Sequence, residues 1–182
     1  MKWKNEFNLK QSVVLITGSS GALGQEISKA FINSNAIVYG FDIKKTKDFN
    51  DGNFHQIECD ISDYNSFNYH CEKIYENEKK INVLINNAGL TIPSKTSNIY
   101  SKEDWNQTIK INLTAPFFCS QISKDFLKKG DTSSIINITS IAAKLGFPNN
   151  PAYGASKGGV EQMTRAMAEA WSSKGINVNA CL

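Results

Sequence analysis

The residues best suited to chemistry are a tyrosine and a lysine near the carboxyl-terminal end, in the segment YGASK at 153–157. Helical residues four apart project from one face, so Tyr153 and Lys157 are expected to be neighbours. A free phenol titrates at about pH 10, and a nearby ammonium favours its ionised form. The pair therefore predicts a general acid and base, although the same spacing is common on amphipathic helices without any catalytic role.

A glycine-rich turn, TGSSGALG at 17–24, follows an apolar run and precedes a helical pattern. Glycines let the backbone turn sharply and approach a phosphate, while free amides and the helix dipole supply positive potential. The turn predicts a pyrophosphate site for a dinucleotide, although glycine and serine also fill loops that bind nothing. The residues expected to contact the cofactor here are Thr17, Gly18, Ser20, Gly21, Leu23 and Gly24.

Asp42 closes the second apolar run, close to the offset expected for an acid that binds the adenosine ribose hydroxyls. A carboxylate there would repel a ribose 2′-phosphate, which favours NAD(H) over NADP(H). NADP(H) stays possible because Lys44 and Lys45 follow closely and could meet a phosphate. Alternatively, Asp42 is a turn residue and the lysines are a solvated pair.

Two further segments that follow predicted strands are candidates for cofactor contacts. Asp60 could accept a hydrogen bond from the adenine amino group while Ile61 packs on the ring, but Asp60 or Ser62 would serve equally well as a helix cap. The small residues Ala88 and Gly89 would let a cofactor approach the next strand. Asn87 beside them is as well suited to bridging strands as to binding the cofactor.

The elements that must position these residues alternate along the chain. Apolar runs typical of buried strands lie at 13–16, 36–41, 54–59, 83–85, 135–138 and 176–180, and helical spacing separates them, with a long helix continuing past Pro116 that we expect to be kinked there. Strict alternation predicts an α/β fold of Rossmann type, a doubly wound parallel sheet with helices on both faces in three α/β/α layers. We expect one domain over 1–182, including a polar leader at 1–11, with Ser140 at the ligand-binding sheet edge.

Composition excludes several classes of function. The formal net charge is only +3 and Arg165 is the only arginine, so nucleic acid is not expected as a partner. The 4 cysteines are scattered and the 2 histidines stand apart from them, which indicates neither a disulfide framework nor a metal site. No apolar stretch is long enough for a membrane span or a signal peptide, so a cytoplasmic protein is expected.

Taken in order, the motifs resemble those of the short-chain dehydrogenase/reductase family over essentially the whole chain. The resemblance lies in TGSSGALG, NNAG at 86–89, Asn112 within IKINLT, Ser140 within INITS, and YGASK. One departure concerns the family's TGxxxGxG turn, in which Ala22 replaces the middle glycine and Gly21 stands one place earlier.

The resemblance implies a catalytic tetrad. Tyr153 would donate or accept the proton, and Lys157 would bind the nicotinamide ribose and lower the tyrosine pKa. Ser140 would hold the substrate oxygen. Asn112 would interrupt its helix to hold a water that links the lysine to solvent.

The function implied is an NAD(H)-dependent oxidoreductase that interconverts a secondary alcohol and a ketone by hydride transfer. The alternatives are a non-catalytic NAD(H)-binding sensor or scaffold, and an inactive fragment. The substrate is expected to be a small alcohol or carbonyl compound bordered by 91–98 and 142–150; sugars, polyols, steroids and acyl thioesters all stay open.

Family members normally continue beyond the strand in which Leu182 lies. The last strand or strands and the substrate lid are therefore expected to be missing, which would leave a less stable and weakly active or inactive chain. A complete chain would be expected to form a homodimer or homotetramer through the helices that carry Asn112 and Tyr153. Gly158 and Gly159 would allow close packing between them.

Overall fold

The computed structural model describes residues 9–45, 52–94, 100–127 and 133–182, so most of the leader and part of the segment 91–98 lie outside the described residues. Six parallel strands form one sheet in the order β3-β2-β1-β4-β5-β6. The strands are β1 (Val13–Thr17), β2 (Ile37–Asp42), β3 (Phe54–Glu58), β4 (Val83–Asn86), β5 (Ser133–Ile138) and β6 (Ile176–Cys181). This topology confirms the predicted Rossmann-type fold.

Helices cover both faces of the sheet, as the alternation of elements predicts. They are α1 (Ala22–Asn33), α2 (Tyr64–Glu78), α3 (Lys102–Ile109), α4 (Ala115–Ser123) and α5 (Pro151–Trp171). Because neighbouring strand residues face opposite sides, Val13 and Leu15 of β1 belong to a core shared with α2, α4 and α5, while Val14 and Ile16 pack with α1. The strands β1 and β4 are buried along their whole length.

The helix expected to run past Pro116 is interrupted upstream of that proline. A five-residue π-helical turn, Lys110–Thr114, separates α3 from α4. Pro116 has no N–H for the carbonyl of Asn112, four residues before it, and the Ala115 N–H donates instead to the Lys110 carbonyl, five residues before it. The interruption of the helix is therefore a π-helical turn centred on Asn112, upstream of the expected position at Pro116.

β1 and β4 lie side by side at the point where the strand order reverses: β2 and β3 extend the sheet on one side of β1, and β4, β5 and β6 extend it on the other. β1 pairs with β2 on one side and with β4 on the other, with Ile16 opposite both Gly40 and Ile85. The carboxyl ends of these strands therefore meet at one edge. In open α/β sheets, ligands bind in the crevice at such a switch point.

Three absences hold for the described residues. No described helix is long and apolar enough to cross a membrane. No described cluster of three or more histidine, cysteine, aspartate and glutamate side chains could hold a metal ion. The four cysteines, all of them described, are free, and three of them are buried.

Candidate active site

A cleft of about 400 Å³ opens at the carboxyl edge of the sheet, where β1 and β4 lie side by side. Its wall combines the glycine-rich turn, Asp42, the segment 87–91 after β4, Ser140, Tyr153 and Lys157. These groups come from five separate parts of the sequence. The fold thus brings most of the predicted site residues to one cavity.

Two of the three glycines in the turn are required by space. Gly18 has φ +67°, and a Cβ there would lie 2.7 Å from the Ala88 Cα. A Cβ on Gly24 would lie 2.1 Å from the Gly18 carbonyl oxygen, whereas one on Gly21 would meet that oxygen at 3.4 Å. The turn is therefore folded tightly against β4 and its own helix, and Gly21 is the least constrained of the three.

The amino terminus of α1 is open towards the cleft. No side chain caps it, whereas Asp63 accepts from the Ser66 N–H at the start of α2 and Ser101 caps α3. Ala22, Leu23 and Gly24, the first residues of α1, line the cleft, so their amides and the helix dipole are available to an anion. This arrangement fits the pyrophosphate of a dinucleotide.

Asp42 occupies the end of β2 and is half-buried. Its Oδ2 accepts from the Ser20 N–H and its Oδ1 from the Lys44 N–H, each at 3.0 Å. The Lys45 ammonium lies 3.7 Å from a Glu58 carboxylate oxygen. Asp42 thus stabilises the glycine-rich turn and also lines the cleft. A structural role in the turn and a role in binding the ribose hydroxyls are therefore compatible.

The predicted adenine contacts lie in an adjoining cavity of about 280 Å³, which shares Gly18, Asp42 and 88–90 with the cleft. Asp60 Oδ1 accepts from the Ser62 N–H at 2.9 Å and its hydroxyl at 2.8 Å. Although partial burial raises the pKa of Asp60, these hydrogen bonds and the Lys110 charge lower it below its usual value. The expectation that Asp60 or Ser62 caps the next helix is wrong, because Asp63 caps α2.

Asn87 bridges β4 to the glycine-rich turn. Its Nδ2 donates to the carbonyl oxygens of Thr17 and Gly18, both at 3.0 Å. The Thr17 hydroxyl oxygen accepts from the N–H groups of Asn87 and Ala88, both at 3.1 Å. Asn87 also lines the cleft, but its amide nitrogen is engaged within the protein, as the strand-bridging alternative requires.

Lys157 is almost completely buried at the base of the cleft, and its side-chain nitrogen Nζ donates to the Ile138 carbonyl at 2.8 Å. Nζ lies 5.8 Å from the centre of the Tyr153 ring. Burial lowers the pKa of Lys157 to about 8. Ser140 caps a short 3₁₀ turn, Ile141–Ala143. Its hydroxyl oxygen accepts a hydrogen bond from the Ala142 N–H at 3.2 Å.

Asn112 is buried inside the π-helical turn and faces the loop after β4. Its carboxamide makes two hydrogen bonds with the backbone of Leu90 and donates to the Ser156 hydroxyl at 3.3 Å. A Cβ on Gly89 would lie 3.5 Å from Asn112 Oδ1 and 3.8 Å from Lys157 Nζ. Asn112 and Lys157 therefore flank the same loop, and both lie close to the cleft.

The expected substrate-bordering segments are joined by hydrogen bonds where the structure describes them. The Ser94 N–H donates to the Asn149 carbonyl at 2.7 Å, and the Asn150 amide donates to the Thr91 hydroxyl. Residues 95–98 lie outside the described residues. Of the two glycines expected at a subunit contact, Gly159 packs within the chain, since a Cβ there would lie 2.7 Å from Leu113 Cδ2.

A buried polar network behind the site is absent from the sequence-based prediction. Asn86 Nδ2 donates to Asn137 Oδ1 and to the Ser120 hydroxyl, both at 2.8 Å, and Asn137 Nδ2 donates to the Thr164 hydroxyl at 2.9 Å. It ties β4, β5, α4 and α5 together. The sequence indicates this network only through Asn137, which lies inside an apolar run, because a buried side-chain amide needs hydrogen-bond partners.

An open parallel sheet with a glycine-rich turn and a cleft at its switch point defines a dinucleotide-binding domain of Rossmann type. The family model described as short chain dehydrogenase matches residues 12–182. The chain therefore belongs to the short-chain dehydrogenase family. The relatives it matches include dehydrogenases and a reductase, and one solved neighbour contains NAD⁺.

Individual relatives agree with this assignment. The chain is 32% identical over 183 residues to a 2-dehydro-3-deoxy-D-gluconate 5-dehydrogenase of Dickeya dadantii, covering 97% of this chain and 72% of the relative. It is 29% identical to a 3beta-hydroxysteroid dehydrogenase of Mediterraneibacter gnavus, covering 93% of this chain and 64% of the relative. A Leptospira borgpetersenii short chain dehydrogenase with bound NAD⁺ superposes with a TM-score of 0.87 at 26% identity, covering 99% of this chain and 72% of that structure.

Proposed function

We propose that this protein is an NAD(H)-dependent oxidoreductase that interconverts a secondary alcohol and a ketone, with Tyr153 as general acid and base. The observation that carries the proposal is the single cleft shared by the glycine-rich turn, Asp42, Ser140, Tyr153 and Lys157. A cofactor lying along this cleft would have its phosphates at α1 and its reactive ring near Tyr153. Bound there, the nicotinamide supplies or accepts the hydride.

The chain's own residues would orient the substrate and move the proton. The Ser140 and Tyr153 side chains can both hydrogen-bond the substrate oxygen, and the Tyr153 hydroxyl exchanges a proton with it. Lys157, buried beside the Tyr153 ring, would bind the ribose hydroxyls of the nicotinamide half of the cofactor.

Asn112 acts in this proposal by holding the loop that carries Gly89 against Lys157. Both ends of its carboxamide are engaged with Leu90. The proposed relay of protons from Lys157 to a water held at Asn112 stays a prediction.

NAD(H) is proposed over NADP(H) because of Asp42. Its carboxylate is fixed at the end of β2 by two backbone N–H groups and lines the cleft, where it would accept hydrogen bonds from ribose hydroxyls. A 2′-phosphate in the same place would meet a fixed negative charge. Of the two lysines that could offset it, Lys45 lies next to Glu58.

The proposed substrates are small molecules with a secondary alcohol or ketone. The relatives' names give a test panel: 2-dehydro-3-deoxy-D-gluconate and 3β-hydroxysteroids. A cytoplasmic location stays a prediction.

Self-association through α4 and α5 is also proposed. An apolar groove of about 650 Å³, lined by Phe117, Met163, Met167 and Trp171 among others, lies between these helices. Molar mass from light scattering tests this proposal directly: a dimer or tetramer is expected, and a monomer at high concentration would contradict it.

The experiment that tests the function combines NADH binding with turnover of the substrate panel. Replacing Tyr153 by Phe is expected to leave the Kd for NADH within about twofold and to lower kcat by about 100-fold or more, the contribution typical of a general acid. Tyr69→Phe is the matched control, because this tyrosine is exposed on α2.

Three outcomes are informative. Loss of turnover in Tyr153→Phe alone supports the proposal. Equal turnover in all three proteins would contradict the role of Tyr153. NADH binding without turnover of any panel member would favour the non-catalytic alternative.

A further inference from the structure

The segment after β2 is held through both backbone polar groups of one residue, Lys44. The Lys44 N–H donates to Asp42 Oδ1 at 3.0 Å. The Lys44 carbonyl oxygen accepts from the Ser20 hydroxyl at 2.6 Å and from Gln56 Nε2 at 2.8 Å. The position of this segment relative to the glycine-rich turn is therefore fixed by side chains from two other elements.

Gln56 reinforces a closed ring of hydrogen bonds that runs through Asp42, Ser20 and Lys44. Its Nε2 also donates to the Ser20 hydroxyl oxygen at 2.9 Å, and the Ser20 N–H donates to Asp42 Oδ2 at 3.0 Å. The Ser20 hydroxyl closes the ring by donating directly to the Lys44 carbonyl, and Gln56 adds a second link between Ser20 and Lys44. Both carboxylate oxygens of Asp42 are oriented by members of this ring.

Gln56 itself stands outside the cleft wall. It lies on β3, half-buried and in register with Gly40 of β2, and lines neither of the two adjoining cavities. Gln56 is linked to the cleft through Ser20 and Lys44, which both bind Asp42.

We propose that Gln56 is a positioning residue that sets the preference for NAD(H) over NADP(H), an inference that rests on the proposed function. The ring keeps the Asp42 carboxylate at the place of the ribose hydroxyls. It also commits the hydroxyl hydrogen of Ser20 to the Lys44 carbonyl, so this hydroxyl has no hydrogen to offer a phosphate. Without Gln56 the Lys44 carbonyl keeps its bond to the Ser20 hydroxyl but loses the Gln56 donor, so the segment would be held less firmly and its lysine charge could approach a 2′-phosphate.

The test replaces Gln56 by Leu, which has a similar volume and no amide. The Kd values for NADH and NADPH are measured by fluorescence titration. NADH binding is expected to weaken by about threefold to tenfold, the range of one hydrogen bond, while NADPH binding stays equal or strengthens. The ratio of the two Kd values therefore moves towards NADPH by at least this factor.

Gln25→Leu is the matched control. Its Nε2 also contacts Ser20, but at the carbonyl oxygen at 2.9 Å, outside the ring. Its replacement is expected to change the affinity for both cofactors equally. Ser20→Ala, which removes the direct bond to the Lys44 carbonyl, is expected to shift the ratio of the two Kd values in the same direction as Gln56→Leu, and the double variant should show less than the sum of the two effects.

Two results would overturn the inference. An unchanged NADPH-to-NADH ratio in Gln56→Leu, with normal NADH binding by the unaltered protein, overturns it and leaves the proposed function standing. An equal shift of the ratio in Gln25→Leu shows that any disturbance of the turn suffices, and also overturns it. An unaltered protein that binds neither dinucleotide contradicts the proposed function as well.

Discussion

Asn112 and Leu90 are joined by a reciprocal pair of hydrogen bonds: Asn112 Oδ1 accepts from the Leu90 N–H and Asn112 Nδ2 donates to the Leu90 carbonyl, both at 2.8 Å. This pair fastens the loop after β4 to the π-helical turn between α3 and α4. Since Gly89 of that loop adjoins Lys157, the pair also sets the distance between the loop and the base of the cleft.

Replacing Asn112 by Leu should therefore both destabilise the protein and weaken NADH binding. The variant leaves the backbone N–H and carbonyl of Leu90 without these partners, at a cost of about 1–3 kcal/mol. The free energy of unfolding in urea and the Kd for NADH measure the two effects. Asn106→Leu, on the exposed part of α3, is the control and should change neither. Equal stability of the two variants would show that the Leu90 pair contributes nothing.

The glycine-rich turn gives a second prediction. Gly24→Ala should lower the free energy of unfolding by about 1–3 kcal/mol and weaken NADH binding, because its Cβ would overlap the Gly18 carbonyl oxygen. Gly21→Ala should cost no more than about 1 kcal/mol, since its Cβ has room. Melting temperature and NADH titration compare the two variants. Similar losses of stability and of NADH affinity in the two variants would contradict this prediction, because they would show that the space around each Cβ does not decide the effect.

The fold and the main site could be predicted because they depend on local patterns. The apolar runs give the six strands to within about two residues, and chain order with right-handed crossovers leaves few possible topologies. Tyr153 and Lys157 are related by helical spacing alone. Asp42 and Gly18 follow from the rule that strand ends meet at one edge.

Contacts between distant side chains could not be predicted in the same way. The ring that Gln56 reinforces and the network through Asn137 depend on rotamers and on strand register, which no periodicity encodes. The helix cap fell on Asp63 rather than on Asp60 or Ser62 because all three are suitable cap residues and only the backbone geometry decides. The π-helical turn requires a hydrogen-bond shift that Pro116 indicates only indirectly.

The buried network behind the site predicts a third result. Thr164→Val keeps the shape of the side chain but leaves Asn137 Nδ2 without its acceptor, which should cost about 1–3 kcal/mol. Thr164→Ser keeps the hydroxyl and loses one methyl group, a cost of about 0.8 kcal/mol. Urea unfolding of the two variants makes the comparison. A valine variant as stable as the serine variant would mean that Asn137 finds another partner.

Lys157 predicts how stability depends on pH. Burial lowers its pKa from 10.5 to about 8 in the folded protein, so the folded state loses this proton first as pH rises. Between these two values the unfolded chain binds more protons than the folded chain. The free energy of unfolding should therefore gain a contribution that grows with pH across this window, reaching at most about 3 kcal/mol.

Lys157→Met removes this contribution and leaves the other titrating groups in place. The difference between the free energies of unfolding of the two proteins, measured from pH 8 to pH 10.5, isolates the lysine. We expect the free energy of unfolding of the unaltered protein to rise with pH relative to that of the methionine variant. The reason is that a buried ammonium disfavours folding, whereas a buried neutral amine does so much less. Parallel pH profiles would mean that Lys157 keeps an ordinary pKa in the folded protein, and that its ammonium is reached by water despite the hydrogen bond to Ile138.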